Sequence, residues 1–470
     1  MNLGSLIHTD DLTPVSGFAI DHRKVSSGTI FGAFAGARFN GEDFIADAVR
    51  AGAIAIVARP QARVEGAVHI KSDEPRRTFA LLAAQFYGPY PQTVVAVTGT
   101  NGKTSTVELT RQLWRMAGHH AASIGTLGVT TADEAVTTGL TSPDIVTFLS
   151  NMAGLQREGV THVAYEASSH GLHQYRAEGL PVQAAAFTNL SRDHLDYHGD
   201  MPSYLTAKLR LFSEVVAEDG TAVIHLGDEY ADRVLDLARA RGLTLVTVGE
   251  MGQALKLVKR TPTALGQTLE IVADNKTYTV KLPLIGAYQA ANALTAAGLV
   301  IATGGDIGMT LANLERVQPV RGRLERACIT AHGAAVYIDY AHTPDALTAA
   351  IDAARPHTTG KLILVFGAGG DRDTGKRPLM GKAALAADMI IVTDDNPRTE
   401  DPIAIRRAIL AEAPGAHEIG DRRLAIAAAI GTAQKGDFVL IAGKGHETGQ
   451  IVGDQILPFD DVQVARECAI

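Results

Sequence analysis

Cysteine is nearly absent. The 470 residues hold two, Cys328 and Cys468, far apart and in no metal-binding spacing. A disulfide framework is thereby excluded, and a reducing compartment is expected. A basic block is missing too: Lys and Arg number 43 against 51 Asp and Glu, a formal net charge of −8. Electrostatics therefore gives no support to a nucleic-acid or membrane-surface partner. Any anionic substrate must be held by local basic residues against a mildly repulsive background. The first dozen residues lack a basic segment followed by an apolar core, so no secretory signal is expected. Solenoid repeats and low-complexity tracts are absent. One uncharged run, residues 282 to 305, invites a membrane reading, but Pro283, Gln289, Asn292 and much Ala and Gly point to a helix buried inside a domain. With 46% hydrophobic and 20% charged residues, the expectation is a soluble cytoplasmic protein of several domains.

What the chain does have begins at residues 93 to 104, T-V-V-A-V-T-G-T-N-G-K-T. Residues 93 to 97 are a continuous apolar, β-branched run, suited to a buried parallel strand. Gly99, Asn101 and Gly102 then predict a tight turn, with a helix opening at Lys103. Strand, small-residue turn and helix start together make an anion site, because the backbone approaches closely and the helix dipole favours negative charge. Gly99, Thr100, Asn101 and Gly102 form the cradle. Lys103 supplies a point charge for the outer phosphates, and Thr104 a hydroxyl for Mg²⁺. The common G-x-x-x-x-G-K-T pattern has glycine where this chain has Val97. A plain strand–turn–helix is the alternative; the stretch reads as an ATP site.

The fold class expected is α/β. Residues 1–88 predict a small α/β domain, with strands at 29 to 35 and 53 to 58 and a short helix at 43 to 51. Pro89 and Pro91 form a linker. Residues 89–320 alternate strand and helix, as for a mostly parallel sheet with helices on both faces. Strands at 161 to 165 and 184 to 188 deliver Glu166 and the His194 segment to the carboxyl end of that sheet, where ligands collect. Residues 244 to 281 predict a small β appendage. From 321 to 470 the α/β rhythm repeats, with strands at 336 to 338, 362 to 366, 389 to 392 and 438 to 441, each followed by a polar loop.

Several side chains stand out. Glu166 closes its strand as a metal partner for Thr104 or as a capping acid. His194 sits among Asp193, Asp196 and His198. Lys208, on a predicted helix over 203 to 216, has Tyr204, Leu205, Leu211 and Phe212 one turn away. It either snorkels outward or is desolvated with a lowered pKa. A neutral amine can take up CO₂ as a carbamate, an anionic oxygen ligand suited to Mg²⁺. Arg372 and Arg398 lie in loops suited to bidentate carboxylate recognition, or form ion pairs with Asp371, Asp373 or Glu400. Arg323 is placed to reach a nucleotide phosphate.

In order along the chain, G-T-N-G-K-T, Y-E-A-S-S-H-G-L, T-N-L-S-R-D-H-L-D-Y-H-G, Lys208, Y-Q-A-A-N-A-L, R-G-R-L-E, D-Y-A-H-T-P-D, G-G-D-R-D and G-K-G-H-E resemble the motifs of the Mur ligases. The resemblance spans nearly the whole chain. It implies three domains: a UDP-binding domain, a central ATPase domain and a Rossmann-like C-terminal domain. D-N-P-R at 395 to 398 resembles the signature of family members that add meso-diaminopimelate to UDP-N-acetylmuramoyl-L-alanyl-D-glutamate. By resemblance Lys103, Glu166, His194 and Lys208 are catalytic. Thr104, Glu166, His194 and carbamylated Lys208 hold Mg²⁺, and Asn292, Arg323 and Asp339 touch the nucleotide. Thr141, Ser142, Ser169, Gln174 and Arg176 match the UDP-muramoyl-peptide site. Arg372, Asp395, Asn396, Arg398, Gly443 and Glu447 match the diaminopimelate site. Two departures concern the first domain: Asp21-His22-Arg23 stands for the usual D-S-R, and the loop at 36 to 41 lacks an expected histidine.

The implied partners are small molecules acting on a monomer, with domain closure excluding water. The implied chemistry is ATP-dependent amide formation through an acyl phosphate. A lysine-adding relative, a folylpolyglutamate synthetase-like ligase and a non-catalytic nucleotide-binding regulator are the rival expectations. Retention of Lys103, Glu166, His194 and Lys208 together argues against the last.

Overall fold

The computed structural model describes residues 1–36, 39–131, 134–136 and 141–469. Ala37 and Arg38, in the loop at 36 to 41, and the side chain of Asp196 lie outside what is described. The chain groups into two compact units, Met1–Val248 with Gly298–Gly305, and Gly249–Ala297 with Asp306–Ile470.

The first unit opens with a four-stranded parallel sheet, Gly17–Ala19, Thr29–Gly32, Ala53–Ala58 and Val68–Lys71, in chain order. The helix Pro75–Tyr87 covers it, burying Phe79, Ala80, Ala83 and Ala84. The predicted helix over 43 to 51 is a 3₁₀ turn, Gly41–Phe44, running into a short α-helix, Ile45–Arg50. The predicted strand at 29 to 35 stops at Gly32.

In the larger sheet of this unit Thr93–Thr98 lies between Val182–Phe187 and His162–Glu166, parallel to both. Ala121–Gly125 pairs with His162–Glu166, and Val216–His225 with Val182–Phe187. These strands are nearly continuous apolar runs, as burial on both faces demands. Thr244–Gly249 pairs in parallel with Val216–His225. The predicted single helix over 203 to 216 is an α-helix, Met201–Arg210, followed by a π turn, Leu211–Val215. That wider turn brings Leu211, Phe212 and Val215 into the core together.

In the second unit Leu255–Thr263, Gly266–Ala273 and Lys276–Leu282 form an antiparallel meander. Its last turn is Asp274-Asn275, both at positive φ, as a two-residue hairpin requires. The uncharged run holds the helix Ala287–Ala302. Among the described residues no helix is long and apolar enough to cross a membrane.

The main sheet of the second unit orders Arg323–Ile329, Ala335–Asp339, Phe438–Ala442, Leu362–Phe366, Met389–Val392 and His417–Glu418. All four predicted strands are present. The edge strand Arg323–Ile329, which sequence reading missed, is antiparallel to its neighbour. Side chains alternate across the sheet: Leu362, Leu364 and Phe366 join one core layer, Ile363 and Val365 the other. The second layer includes the helices Arg422–Thr432 and Asp461–Cys468, tied by a fully buried ion pair, Arg422–Asp461 at 2.7 Å. Arg422 also donates to the Ala442 carbonyl, 3.1 Å away, at the end of a central strand.

Asp461→Ala would leave the Arg422 guanidinium charged and unpaired inside the core. It is expected to lower the unfolding free energy by about 3–5 kcal/mol, as for other broken buried pairs. Chemical denaturation followed by circular dichroism reads this, and an unchanged midpoint would refute it.

Candidate active site

The strand Thr93–Thr98 ends in Gly99 at φ +147, and the helix Lys103–Met116 begins on Gly102 at φ +86. A β-carbon on Gly99 would collide with Thr188 Oγ1, so the turn closes only around glycine. The following segment of the sheet straps it. Thr188 Oγ1 donates to the Asn101 carbonyl at 2.7 Å, Asn101 N donates to Asn189 Oδ1 at 3.0 Å, and Thr100 N donates to the Asn189 carbonyl at 2.9 Å. The cradle predicted from Gly99, Thr100, Asn101 and Gly102 is thus a braced turn at a helix N-terminus, with Thr104 buried in the first helical turn. Lys103 Nζ donates to the carbonyls of Gly99, at 3.0 Å, and Thr100, at 2.8 Å.

A second amine reaches the same oxygen. Lys208 Nζ donates to the Gly99 carbonyl at 2.6 Å and lies 4.5 Å from the centroid of the Tyr204 ring. Lys208 is 2% exposed, which overturns the outward-snorkelling alternative. Burial, followed by the neighbouring Lys103 charge, pushes its pKa well below the usual lysine value, and Asp193 only partly opposes this. The amine is therefore biased towards its neutral, nucleophilic form.

Glu166 ends its strand and is buried. Its carboxylate accepts from Thr126 N at 2.7 Å and Thr126 Oγ1 at 3.3 Å. Its capping role is therefore on a neighbouring strand's turn, not on the turn that follows it. Thr141 Oγ1 lies 3.0 Å from Thr126 Oγ1, and Ser142 Oγ donates to the Glu166 carbonyl at 3.1 Å. Arg176 donates to the Ser142 carbonyl at 2.8 Å and to Gln174 Oε1 at 2.7 Å. Thr141, Ser142, Glu166 and Arg176 line one pocket. Ser169 is buried, 3.0 Å from His198 Nε2. His194, at φ +53, has its ring 3.4 Å from Asp193 and 4.9 Å from the His170 ring, centre to centre. Among the described residues no three His, Cys, Asp or Glu side chains gather at metal distance. The predicted set contains only two such residues. A hydroxyl, a buried amine and a strand-end carboxylate around a nucleotide turn still suit Mg²⁺ once the amine becomes an oxygen ligand.

In the second unit Asp339 is buried and accepts from Leu324 N and Ala341 N, both at 2.8 Å. Burial raises its pKa against the pull of Arg323 and those N–H groups. The Arg323 guanidinium stacks 4.6 Å from the Tyr340 ring centroid, and its carbonyl accepts from Gln289, which in turn accepts from Asn292. The three predicted nucleotide contacts are thus within one hydrogen-bonded neighbourhood.

Arg398 sits at φ +53, its backbone bridged to the strand Gly449–Val452, and its guanidinium donates to the Gly370 carbonyl at 2.7 Å. Glu400 pairs with Arg377, and Asp371 accepts from Thr399. Arg372 is exposed. Asn396 Nδ2 donates to Glu447 Oε2 at 2.9 Å. Gly443, at φ +116, passes so close to Asp395 that a β-carbon would strike the carboxylate. Asp395, Asn396, Gly443 and Glu447 therefore form one compact group.

Sequence reasoning missed Thr126 and Lys444. Thr126 carries no motif signal. Lys444 stands inside G-K-G-H-E, where only its neighbours were singled out. In the first domain Asp21 binds Arg23 through both carboxylate oxygens, and the His22 ring stacks on Phe44 at 4.4 Å.

Three family models match: the Mur ligase family, catalytic domain, over residues 14–87, the Mur ligase middle domain over 97–300, and the Mur ligase, glutamate ligase domain over 322–445. The chain belongs to the Mur ligase family. It is 59% identical to a UDP-N-acetylmuramoyl-L-alanyl-D-glutamate–2,6-diaminopimelate ligase of Zymomonas mobilis, over 97% of this chain and 95% of that one. It is 50% identical to the ligase of the same name from Caulobacter vibrioides, over 95% and 94%. A solved structure of a ligase with that name superposes with a TM-score of 0.75 at 32% identity, covering 100% of this chain and 98% of that one. MurF ligase from Thermotoga maritima, solved with ADP, shares the fold at a TM-score of 0.62 and 20% identity, over 98% of each chain.

Gly99→Ala is expected to weaken ATP binding by about tenfold or more, because the new methyl displaces Thr188 and opens the turn. Calorimetric titration with a non-hydrolysable ATP analogue measures this. Unaltered affinity would contradict the close-approach argument.

Proposed function

We propose that this chain is an ATP-dependent ligase joining meso-diaminopimelate to the D-glutamate γ-carboxyl of UDP-N-acetylmuramoyl-L-alanyl-D-glutamate, a step in making peptidoglycan precursor. The observation that carries the ligase chemistry is the pair of amines, Lys103 and Lys208, on the Gly99 carbonyl of the nucleotide turn. The names of the similar ligases support the choice of substrates. We assign residues 1–88 to UDP binding, 89–320 to ATP, and 321–470 to the amino acid. The enzyme acts as a monomer in the cytoplasm, where its ATP is found.

A carboxylate is a poor electrophile, so the γ-carboxylate first attacks the γ-phosphorus of ATP. An O–P bond forms, the bond to ADP breaks, and an acyl phosphate results. Lys103 offsets charge during this transfer. Thr104, Glu166, His194 and Lys208, once carbamylated, would hold Mg²⁺, which would neutralise phosphate charge. As a carbamate Lys208 keeps one N–H, a donor of the kind that now meets the Gly99 carbonyl. The substrate amine, having lost a proton, then forms the C–N bond, and inorganic phosphate leaves. Thr141, Ser142, Ser169, Gln174 and Arg176 orient the muramoyl peptide. Asn292, Arg323 and Asp339 hold the nucleotide.

Meso-diaminopimelate differs from lysine by a carboxylate at its far end. Arg398, with Arg372 as a second cation, receives that carboxylate, while Asp395, Asn396, Gly443 and Glu447 hold the amino-acid group beside it. Lysine would leave the arginine site without its anion, a loss of roughly 30- to 1,000-fold in specificity.

Two outcomes are expected. Lys208→Ala loses nearly all turnover and regains part of it with short carboxylic acids, whereas full activity in the variant would exclude a carbamate role. Arg398→Ala loses kcat/KM for meso-diaminopimelate by about tenfold or more, while KM for ATP and the UDP substrate stays within about twofold. Efficient use of lysine by the parent enzyme would overturn the choice of amine.

A further inference from the structure

Beneath the amino-acid loops lies a cation that the reaction itself does not call for. Lys444 is 0% exposed, one residue beyond Gly443, where the backbone turns against Asp395. Its Nζ donates to Asn396 Oδ1 at 3.0 Å and to Glu447 Oε2 at 3.0 Å. Asn396 Nδ2 closes the triangle by donating to the same Glu447 oxygen at 2.9 Å. Asn396 Oδ1 also accepts from Ile451 N at 2.9 Å.

This arrangement settles two orientations. Asn396 Oδ1 faces two donors, an ammonium and a backbone N–H. Rotating the amide by half a turn would set its NH₂ against both, so the amide is locked with Nδ2 towards Glu447. Glu447 Oε2 is committed to the Lys444 and Asn396 donors, which directs an incoming ammonium to Oε1. A buried amine without these partners would be costly, and the partners without the amine would leave Glu447 Oε2 without its charged donor.

We propose that Lys444 is a positioning residue for the amine substrate, acting through Asn396 and Glu447 and not on the substrate itself. This rests on the assignment of Asn396 and Glu447 to the amino-acid site. Removing the ammonium leaves Asn396 Oδ1 held by Ile451 N alone, so the amide is less firmly fixed. It also lets Glu447 leave its rotamer. Both effects fall on the amine and on neither ATP nor the UDP-linked substrate.

The test is steady-state kinetics on the full-length enzyme, with parent, Lys444→Met, Glu447→Gln and the double variant. Lys444→Met is expected to raise KM for meso-diaminopimelate by about tenfold or more, with KM for ATP and the UDP substrate within about twofold and kcat at saturating amine within about threefold. On the Glu447→Gln background the same change should cost markedly less, about threefold or under, since the partner charge is already gone. Equal rises in all three KM values, a loss in kcat alone, or full multiplication of the two single effects would each overturn the proposal. Should Lys444→Met fail to fold, Lys444→Gln, which keeps an NH₂ donor group without the charge, takes its place under the same criteria. Parent turnover is a separate readout. Use of a different amine overturns the substrate assignment while the same KM ratios, taken with that amine, still decide the role of Lys444. A parent that uses no amine overturns both.

Discussion

Two lysine side chains converge on a single backbone oxygen, the carbonyl of Gly99, and much of the first unit follows from that. Two ammonium groups cannot share one carbonyl in a buried turn without strong repulsion. Lys103 opens its helix beside the outer face of the turn. Lys208 is 2% exposed, and burial with the Lys103 charge beside it pushes its pKa well below the usual lysine value. Holding a buried amine there requires a helix that ends on a rigid apolar base. The π turn Leu211–Val215 supplies it by seating Leu211, Phe212 and Val215 together in the core. Tyr204, buried one turn earlier, lies against both the amine and Thr100, with its hydroxyl 3.1 Å from Thr100 Oγ1. The same residues that lower the pKa therefore also fix the nucleotide turn.

The residues of the second unit proposed to hold the amino acid would meet a different problem, recognition of a zwitterionic group at the far end of an amine. Fixed opposite charges would then be needed close together without neutralising one another. Separate partners keep them apart. The Arg398 guanidinium rests on the Gly370 carbonyl, while Glu447 is held by Lys444 and Asn396. Beneath them the Arg422–Asp461 pair anchors the end of the strand Phe438–Ala442 through the Ala442 carbonyl. Arg422 is further stabilised as a cation by Asp395 and Glu447. The loop arrangement thus stands on a buried ion pair whose arginine also faces the carboxylates of Asp395 and Glu447.

Strands were legible where the sequence runs apolar and β-branched. Ala53–Ala58, Leu362–Phe366 and Met389–Val392 fall on their predicted residues because burial on both faces leaves no other pattern. The nucleotide turn was legible because glycine, lysine and threonine at that spacing have few other uses. Arg323–Ile329 was not, since an edge strand carries Arg323, Glu325 and Arg326 and shows no apolar run. That Thr244–Gly249 pairs with Val216–His225 was not legible either, since alternation shows that a strand exists and says nothing of its neighbour. Partners across the chain were illegible for the same reason. Nothing near Glu166 in sequence marks Thr126, 40 positions earlier, as the group that orients its carboxylate.

The transfer of a phosphoryl group to a carboxylate is sensitive to the separation of donor and acceptor, because misplacement by about 1 Å can cost on the order of a hundredfold in rate. One short segment addresses this within the first unit. Thr188, Asn189 and Ser191 brace the nucleotide turn through Asn101 and Thr100. A few residues further on, the Tyr197 hydroxyl accepts from Gln174 at 2.9 Å, and His198 Nε2 lies 3.0 Å from Ser169 Oγ. Gln174 in turn accepts from Arg176, which lines the pocket with Glu166. The chain from Thr188 to His198 therefore touches both the phosphate cradle and the residues matched to the muramoyl peptide. His194, halfway along it, takes a left-handed backbone to start the short helix that carries Tyr197 and His198. If His194 is a ligand of the proposed Mg²⁺, a shift at either end of this segment would reach it through the same short stretch of backbone.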